Sequence, residues 1–297
     1  MRQSNSSDDS AVVRETESVI VVGIVRNVEK SFAKDIERLS KALKRFTNID
    51  WFLVESGSSD QSITVLERFS KELSNFSFQH LAIERSATRT ENMATARNKY
   101  LDYLREESRL NDYQYVVIAD FNNLNSTINH EVVESCFKKL DWDVVTANQS
   151  GRYYDAWALR HPLWSPNDCW EQHEFFRKYT RFPESAITYS LRSRMLRIPA
   201  NSEWIEVDSA FGGFAIYKSS ALASGARYEG LSENGNKICE HVPFHYSLKD
   251  EGFRIFINPS LINTRSTDHS HRISTIFTFL RICRYPLSFM RKRRKNV

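Results

Sequence analysis

The strongest constraint on the fold is an alternation of strand and helix patterns between residues 19 and 119. Runs of apolar, often β-branched residues occupy 19–27, 49–55, 78–83 and 115–119, and amphipathic helical patterns lie between them. Continuous apolar runs are typical of strands buried on both faces of a parallel sheet. The β-α-β-α-β-α-β order therefore predicts an α/β fold with a doubly wound, mostly parallel central sheet, right-handed crossovers and helices on both faces.

Polar side chains follow three of these strands at their carboxyl ends. They are Arg26 and Asn27 after the first strand, Glu55 and Ser56 after the second, and Asp120 and Asn122 after the fourth. In open α/β sheets, ligands bind outside the carboxyl ends of the strands. We predict that these side chains line one binding site.

Asp120 and Asn122 present two oxygen-bearing side chains immediately after a buried strand. Oxygen ligands suit Mg²⁺ and Mn²⁺, which carboxylates and substrate phosphates commonly hold together. The alternative is that Asp120 only caps a turn in an Asn-rich loop. Neither the glycine-rich dinucleotide fingerprint nor the P-loop motif occurs, so a metal or basic side chains would have to bind phosphates.

The second half of the chain has weaker periodicity. It predicts helices over 131–140, 169–182 and 188–197, a strand over 143–147, a strand-like stretch over 204–217 interrupted by Gly212-Gly213, and a last strand over 254–257 closed by Asn258-Pro259. We expect one α/β domain over residues 18–265. A disordered segment over 1–17 would precede it, and a basic amphipathic extension over 266–297 would follow it.

Several short motifs occur in an order that resembles one enzyme family. A strand ends in an acid, G-S-x-D-x-S follows over 57–62, a helix carries TARN, and the fourth strand ends in D-x-N. This order is similar to that of GT-A glycosyltransferases, the nucleotide-sugar-dependent kind, and of their family-2-like members. The later motifs YYDAWALR, DSAFGGFAIYK, CEHVPFH and FRIFINP resemble the capsule-associated mannosyltransferase branch. The resemblance extends over about 19–259, most of the chain.

The resemblance implies roles for individual residues. Glu55 would contact the nucleobase or ribose of the donor, and Arg97 would lie near its diphosphate. Glu240 corresponds to the catalytic acid of the inverting enzymes, which takes the proton of the acceptor hydroxyl. If the reaction retains configuration instead, Glu240 would orient the substrate.

The resemblance also implies a metal site. Asp120 and Asn122 correspond to the D-x-D positions that hold the donor and a divalent cation, Mn²⁺ or Mg²⁺, and Asp120 would thereby take part in catalysis. Asn122 replaces the second acid, so the cation would be held less strongly or would not be required. A late histidine often completes the metal site of GT-A enzymes, and His271 stands in that place.

Other residues are candidates for binding the donor sugar. Tyr154, Asp155 and Arg160 are expected to frame it, because aromatic faces stack on pyranose rings and charged groups bind hydroxyls. They could equally pack a loop. Gly212 and Gly213, inside a strand-like run, indicate a close approach of the backbone to a ligand, or a bulge.

The positive charge of the chain is concentrated in one segment. The net charge is +4, but 272–297 contains eight Lys/Arg and no Asp/Glu, so the remainder is mildly acidic. This basic amphipathic segment predicts contact with a membrane surface, with nucleic-acid binding or simple solvation as alternatives; we expect no nucleic-acid partner. The four scattered cysteines indicate a reducing compartment. We therefore expect a cytoplasmic protein, peripheral on the inner face of a membrane.

The motifs and their resemblance predict a glycosyltransferase of surface polysaccharide synthesis. It would move a hexose from a nucleotide-diphosphate sugar to a hydroxyl of a glycan or lipid-linked acceptor. One alternative is a catalytically impaired nucleotide-sugar-binding protein of the same fold. Another is a sugar-phosphate nucleotidyltransferase, which needs a glycine-rich basic loop after the first strand; VVGIVRNVEKS fits that loop poorly.

Overall fold

The computed structural model describes residues 17–265, which form a layered α/β structure around one eight-stranded sheet. The strands are β1 (Ser18–Val25), β2 (Asn48–Ser56), β3 (Phe76–Leu81), β4 (Tyr115–Ala119), β5 (Val144–Gln149), β6 (Ile205–Val207), β7 (Phe214–Lys218) and β8 (Ile255–Thr264). Their order in the sheet is β3-β2-β1-β4-β7-β5-β8-β6. Strands β1 to β4 are parallel, β8 is parallel to β5, and β7 runs antiparallel to both its neighbours.

Helices cover both faces of this sheet. They are α1 (Phe32–Ala42), α2 (Ser62–Glu72), α3 (Arg89–Arg105), α4 (His130–Glu134), α5 (Cys169–Tyr179), α6 (Ala186–Ser190), α7 (Ser219–Leu222) and α8 (His241–Asp250). Alternate residues of β1 enter two different cores: Ile20 and Val22 pack with α3 and α8, whereas Val19 and Val21 pack with α1 and α2. The predicted α/β class and the mostly parallel sheet are confirmed.

The stretch 204–217 differs from its prediction, because it forms two strands rather than one interrupted strand. Short β6 lies at the sheet edge against β8, and β7 lies between β4 and β5. Gly212 and Gly213 have φ of 72° and 86°, a backbone conformation that glycine adopts without steric cost. The turn at these glycines directs the chain into the middle of the sheet.

The last strand continues through Asn258-Pro259, which the sequence predicted would close it. The register between β5 and β8 shifts here, so the missing N–H of Pro259 breaks no regular ladder. The Asn148 side chain donates to the Pro259 carbonyl at 2.9 Å. A bulge with side-chain support therefore replaces the expected strand end.

Three helix predictions were too long. The predicted helix over 131–140 is α4 followed by a 3₁₀ turn, Ser135–Lys138, and the one over 169–182 ends at Tyr179. The predicted helix over 188–197 is wrong, since α6 ends at Ser190. Apolar spacing past these ends does not reflect burial throughout, because Leu140 and Phe182 are exposed, whereas Met195 is buried beyond the end of α6.

The predicted terminal segments 1–17 and 266–297 lie almost entirely outside the described residues, so those domain boundaries stay predictions. No helix within residues 17–265 has the length and apolar character needed to span a bilayer.

Candidate active site

A pocket of about 880 Å³ opens at the carboxyl edge of the sheet. Its volume lies in the range of small-molecule sites. Its lining combines charged residues, among them Arg97, Asp120, Asp155 and Glu240, with aromatic and apolar residues that include Trp157 and Trp170. Residues from β4, α3, α5 and the start of α8 meet in this pocket, as the parallel topology predicted for the end of β4.

Arg97 is the centre of the cluster of charged residues in the pocket. It is buried on α3, a helix that begins with a capping box formed by Thr88 and Glu91. Its Nε donates to Oε1 of Glu240 at 2.8 Å, and its Nη2 donates to Oδ1 of Asp120 at 3.3 Å. One guanidinium therefore joins the end of β4 to the start of α8.

The electrostatics of this array keep Arg97 charged. Burial alone would lower the pKa of Arg97, but Tyr100, Glu240 and Asp120 together raise it well above its ordinary value. The ring of Phe211 lies 5.1 Å from the guanidinium carbon and adds a cation–π contact. A permanent cation is therefore fixed in a largely dry part of the pocket.

Burial raises the pKa of two carboxyl groups in the pocket. Burial raises the pKa of Asp120, and Arg97 opposes this rise. Burial likewise raises the pKa of Asp155 to about 6, against the Gly212 N–H, which donates to Oδ2 of Asp155 at 2.9 Å. Asp155 therefore changes charge near neutral pH, as a group that exchanges protons with a substrate would.

Gly212 and Gly213 position the two aspartates. The Gly213 carbonyl accepts from the Asp120 N–H at 2.9 Å, and the Gly212 N–H binds Asp155. A Cβ on Gly213 would lie 2.9 Å from the Tyr154 hydroxyl oxygen. The close backbone approach predicted from these glycines is therefore, within the described structure, an approach to protein groups.

His241 is a functional candidate that the sequence reasoning did not select. It lines the pocket, is 2% exposed and stacks on Phe211 with 4.1 Å between ring centroids. Neither ring nitrogen has a hydrogen-bond partner within residues 17–265. Burial lowers the pKa of His241 well below its usual value, so the ring is neutral and can both donate and accept. Its place directly after Glu240 in CEHVPFH was the only sequence signal.

Arg160, expected at the donor sugar, lies elsewhere. It is buried, donates to Oδ2 of Asp168 at 2.7 Å and binds the carbonyls of Trp157 and Leu159. It does not line the pocket, whereas Tyr154 and Asp155 from the same motif do. Asp168 also caps α5, so the described contacts of Arg160 anchor the loop that leads into this helix.

The ends of β1 and β2 form a hydrogen-bonded loop pair outside this pocket. Asn27 Oδ1 accepts from the Ser59 N–H at 2.8 Å, and Ser58 Oγ accepts from the Asn27 N–H at 2.9 Å. The Glu55 carboxylate is fully buried, and it contacts the Ser58 N–H at 2.6 Å and His80 Nδ1 at 2.5 Å. Direct contact between Glu55 and a base would require His80 or this loop to move.

Two other predicted binding residues lie at the same rim. Arg26 is exposed and Ser56 is partly buried, and neither lines the pocket. The predicted binding residues after β1 and β2 therefore do not line the pocket. The polar groups of Asn27, Glu55, Ser58 and Ser59 bind one another instead.

The D-x-N positions differ in their surroundings. Asp120 reaches the pocket, and its Oδ2 has no hydrogen-bond partner among the described residues. Asn122 is exposed, with φ of 68°, and does not line the pocket. Residues 17–265 contain no cluster of three His, Cys, Asp or Glu side chains that could hold a metal. The predicted ligand His271 lies outside the described residues.

Neither a protein-family profile nor a curated protein sequence matches the chain. Among solved structures, TarS of S. aureus in complex with UDP-GlcNAc matches with 17% identity and a TM-score of 0.45, over 86% of this chain and 60% of that one. The mannosyltransferase PcManGT from Pyrobaculum calidifontis, in complex with GDP-Man and Mn²⁺, matches with 13% identity and a TM-score of 0.44, over 86% of this chain and 59% of that one.

The chain thus spans about 60% of the length of these solved chains. The likeness concerns the course of the chain alone, and we base the function on the residues of this pocket.

Proposed function

We propose that this protein is a glycosyltransferase that moves a hexose from a nucleotide-diphosphate sugar to a hydroxyl of a glycan or lipid-linked acceptor. The observation that carries this proposal is the array in which buried Arg97 joins Asp120 to Glu240 in a pocket that also holds Asp155. The array combines a fixed cation with carboxylates that can bind hydroxyls or take a proton.

Arg97 would stabilise the departing diphosphate. Charge that develops on the leaving group is best stabilised by a preorganised cation in a water-poor site. Arg89, the first residue of α3, and Lys237, which precedes α8, also line the pocket and add positive charge to it. Tyr154 and Asp155 would contact the transferred hexose.

A divalent cation is compatible with part of this site. Mg²⁺ and Mn²⁺ are commonly held by one or two carboxylates together with substrate phosphates. Asp120 has one carboxylate oxygen free of hydrogen bonds in the described structure and would hold the ion together with the donor. When bound, the ion would supply positive charge to the diphosphate. Asn122 does not line the pocket, so Asp120 and the donor phosphates would hold the ion, with His271 as a proposed further ligand.

Two carboxylates could take the proton of the acceptor hydroxyl. Glu240, the candidate from the motif, has Oε1 bound to Arg97, whereas Oε2 has only the weak Cys239 thiol at 3.9 Å. Asp155 is the second candidate, because burial raises its pKa to about 6. In an inverting reaction one of them acts as the base, and in a retaining one both orient substrate.

The kinetics of Glu240→Gln and Asp155→Asn separate these two roles. Loss of the base lowers kcat and removes the acidic limb of its pH profile, whereas loss of an orienting group mainly raises KM. We assign the base to the residue whose replacement removes that limb.

We further propose that the protein works at the cytoplasmic face of a membrane, as part of surface polysaccharide synthesis. The basic segment 272–297 would contact the membrane, and no nucleic acid would be a partner. Support comes from the amphipathic sequence of that segment.

A donor screen tests the proposal. The protein is incubated with UDP-, GDP- and CMP-sugars, beginning with UDP-GlcNAc and GDP-mannose, with and without Mn²⁺. A donor at 100 times its Kd stabilises the fold by about 2.7 kcal/mol. We expect one donor to raise Tm and to be hydrolysed slowly, and Asp120→Ala to abolish both effects. Binding without turnover would favour a nucleotide-sugar-binding protein, and turnover only with a sugar phosphate and an NTP would favour a nucleotidyltransferase.

A further inference from the structure

An aromatic patch lies on the α5–α6 hairpin. We define it as Phe175, Tyr179, Phe182 and Tyr189, and each of these side chains is more than half exposed. The rings of Phe175 and Tyr179 contact at 4.9 Å, and Phe176 links Phe175 to Tyr189 with centroid distances of 6.0 Å. Contiguous exposed aromatic surface of this kind marks a binding face rather than chance exposure.

The aromatic patch carries positive charge between two flanking acids, Glu174 and Glu184. The segment FFRKYTRF over 175–182 holds three cations and no acid. Lys178 lies 5.0 Å from the Tyr179 ring and Arg181 lies 5.6 Å from the Phe182 ring. Neither has a carboxylate within ion-pairing distance among residues 17–265, whereas Arg177 pairs with Glu174 at 3.4 Å. Two cations beside the rings are therefore free to meet phosphate groups.

The same helix also reaches the pocket. Trp170, in the first turn of α5, lines the pocket wall. Phe175 and Tyr179 follow it by about 8 and 14 Å along the helix axis, at 1.5 Å per residue. A partner that binds the aromatic patch would therefore lie near the pocket, about 8 to 14 Å from Trp170 along the axis of α5.

We propose that the aromatic patch docks onto an anionic lipid bilayer surface. Tyr rings have one polar and one apolar end, and together with Phe rings flanked by Lys and Arg they fit the headgroup region, where each nearby cation strengthens binding. The segment 272–297 is an unsuitable occupant, because its eight cations would be repelled by those of the patch. The positive charge of the patch and that of the segment 272–297 instead favour contact of both with the same anionic surface.

Docking would hold the pocket beside the headgroups, where a lipid-linked acceptor presents its hydroxyl. The membrane contact does not depend on donor turnover. A failure of this proposal can therefore be distinguished from a failure of the proposed transferase function.

A local fluorophore on the full chain tests the contact. Phe182→Cys is labelled with an environment-sensitive dye in a Cys283→Ser background, since Cys136, Cys169 and Cys239 are buried. With vesicles of phosphatidylcholine containing about 30% phosphatidylglycerol, we expect a blue shift and a rise in emission of about threefold. Pure phosphatidylcholine vesicles should give almost none.

Leu140→Cys is the matched control. Leu140 is also exposed, but it precedes the amino end of β5, whereas the pocket lies at the carboxyl ends of the strands. Its dye should not respond to vesicles. A response at both positions, or at neither while the protein sediments with vesicles, would overturn the proposal, since binding would then be unspecific or due to the segment 272–297.

Sedimentation of unlabelled variants gives a second measure. Phe175→Ser with Tyr179→Ser should weaken binding to the anionic vesicles about tenfold, and Lys178→Ala or Arg181→Ala about fivefold each. The melting temperatures of these exposed variants should match that of the parent. Unchanged vesicle affinity in the double variant would contradict docking, and equal affinity for neutral vesicles would show that the charge has no role.

Discussion

The guanidinium of Arg97 donates from Nε to Oε1 of Glu240 at 2.8 Å, across 143 positions of sequence. Both side chains are almost completely buried, and the same guanidinium reaches Asp120. Removing one partner of a buried ion pair leaves an uncompensated charge, which is costly. The pair therefore holds α3 and α8 together while it supplies the charge of the pocket.

We expect Arg97→Ala to lower the free energy of unfolding by about 3–5 kcal/mol, because Glu240 and Asp120 would lose their common cation. Glu240→Gln should cost less, about 1–2 kcal/mol, since an amide oxygen can still accept from Nε. Urea denaturation measures both losses, and the double variant gives the coupling energy between the residues. Losses below 1 kcal/mol for Arg97→Ala would contradict the described pairing.

Asp155 should make stability depend on pH. Its pKa is higher in the folded protein, about 6, than in the unfolded chain, so folding favours its protonated form. The stability that the protonated carboxyl allows is fully present below about pH 4. It is lost as the pH rises through 6, because the buried carboxyl then ionises at a cost in free energy of folding.

Asp155→Asn removes the cost of ionising a buried carboxyl at high pH, and it keeps an oxygen that can accept from the Gly212 N–H. We expect the variant to be more stable than the parent at pH 8, by up to about 3 kcal/mol, and similar to it at pH 4. Parallel thermal melts from pH 4 to 8 measure the difference. A difference between the two proteins that does not change with pH would contradict the raised pKa.

Gly213→Ala should be destabilising by about 2–3 kcal/mol, because it combines a φ of 86° with a contact of 2.9 Å to the Tyr154 hydroxyl oxygen. Gly252→Ala is the matched control: its φ is 90°, but no atom lies within 4 Å of the added Cβ. The difference between the two losses in denaturant titrations gives the cost of the contact. Tyr154→Phe should recover that difference, and its failure to do so would rule out the clash.

His241→Phe should preserve stability and lower activity. Both ring nitrogens lack partners within residues 17–265, so an apolar ring of similar size loses no internal hydrogen bond. If His241 binds a substrate hydroxyl, kcat/KM should fall by about 10- to 100-fold, the value of one or two hydrogen bonds. An unchanged kcat/KM together with unchanged Tm would limit His241 to a packing role.

Much of the sheet could be predicted because the strands and helices of its first half follow local sequence patterns. The apolar runs of β1, β2 and β4 need no knowledge of distant residues, and the topology places the end of β4 at the ligand edge. Asp120 could be selected because it follows such an end, whereas Arg97 and Asp155 were identified from short motifs that resemble the glycosyltransferase family.

The rest depends on contacts between distant segments. The antiparallel insertion of β7 and the pairing of Glu55 with His80 follow from tertiary packing that no local pattern encodes, and the burial of Arg160 against Asp168 depends on the fold of the loop between them. His241 was overlooked for the same reason. Its burial against Phe211 and the lack of hydrogen-bond partners for its ring nitrogens are visible only in the folded structure.

The most direct test is the release of nucleoside diphosphate from the donors of the screen, with the parent protein and Asp120→Ala compared at equal folded concentration. We expect the parent to release nucleoside diphosphate from one donor and Asp120→Ala, measured at a temperature where both proteins are folded, to release it at least about 100-fold more slowly. Release at the same rate by both proteins, or no binding and no release with any nucleotide sugar, would contradict the proposed transferase.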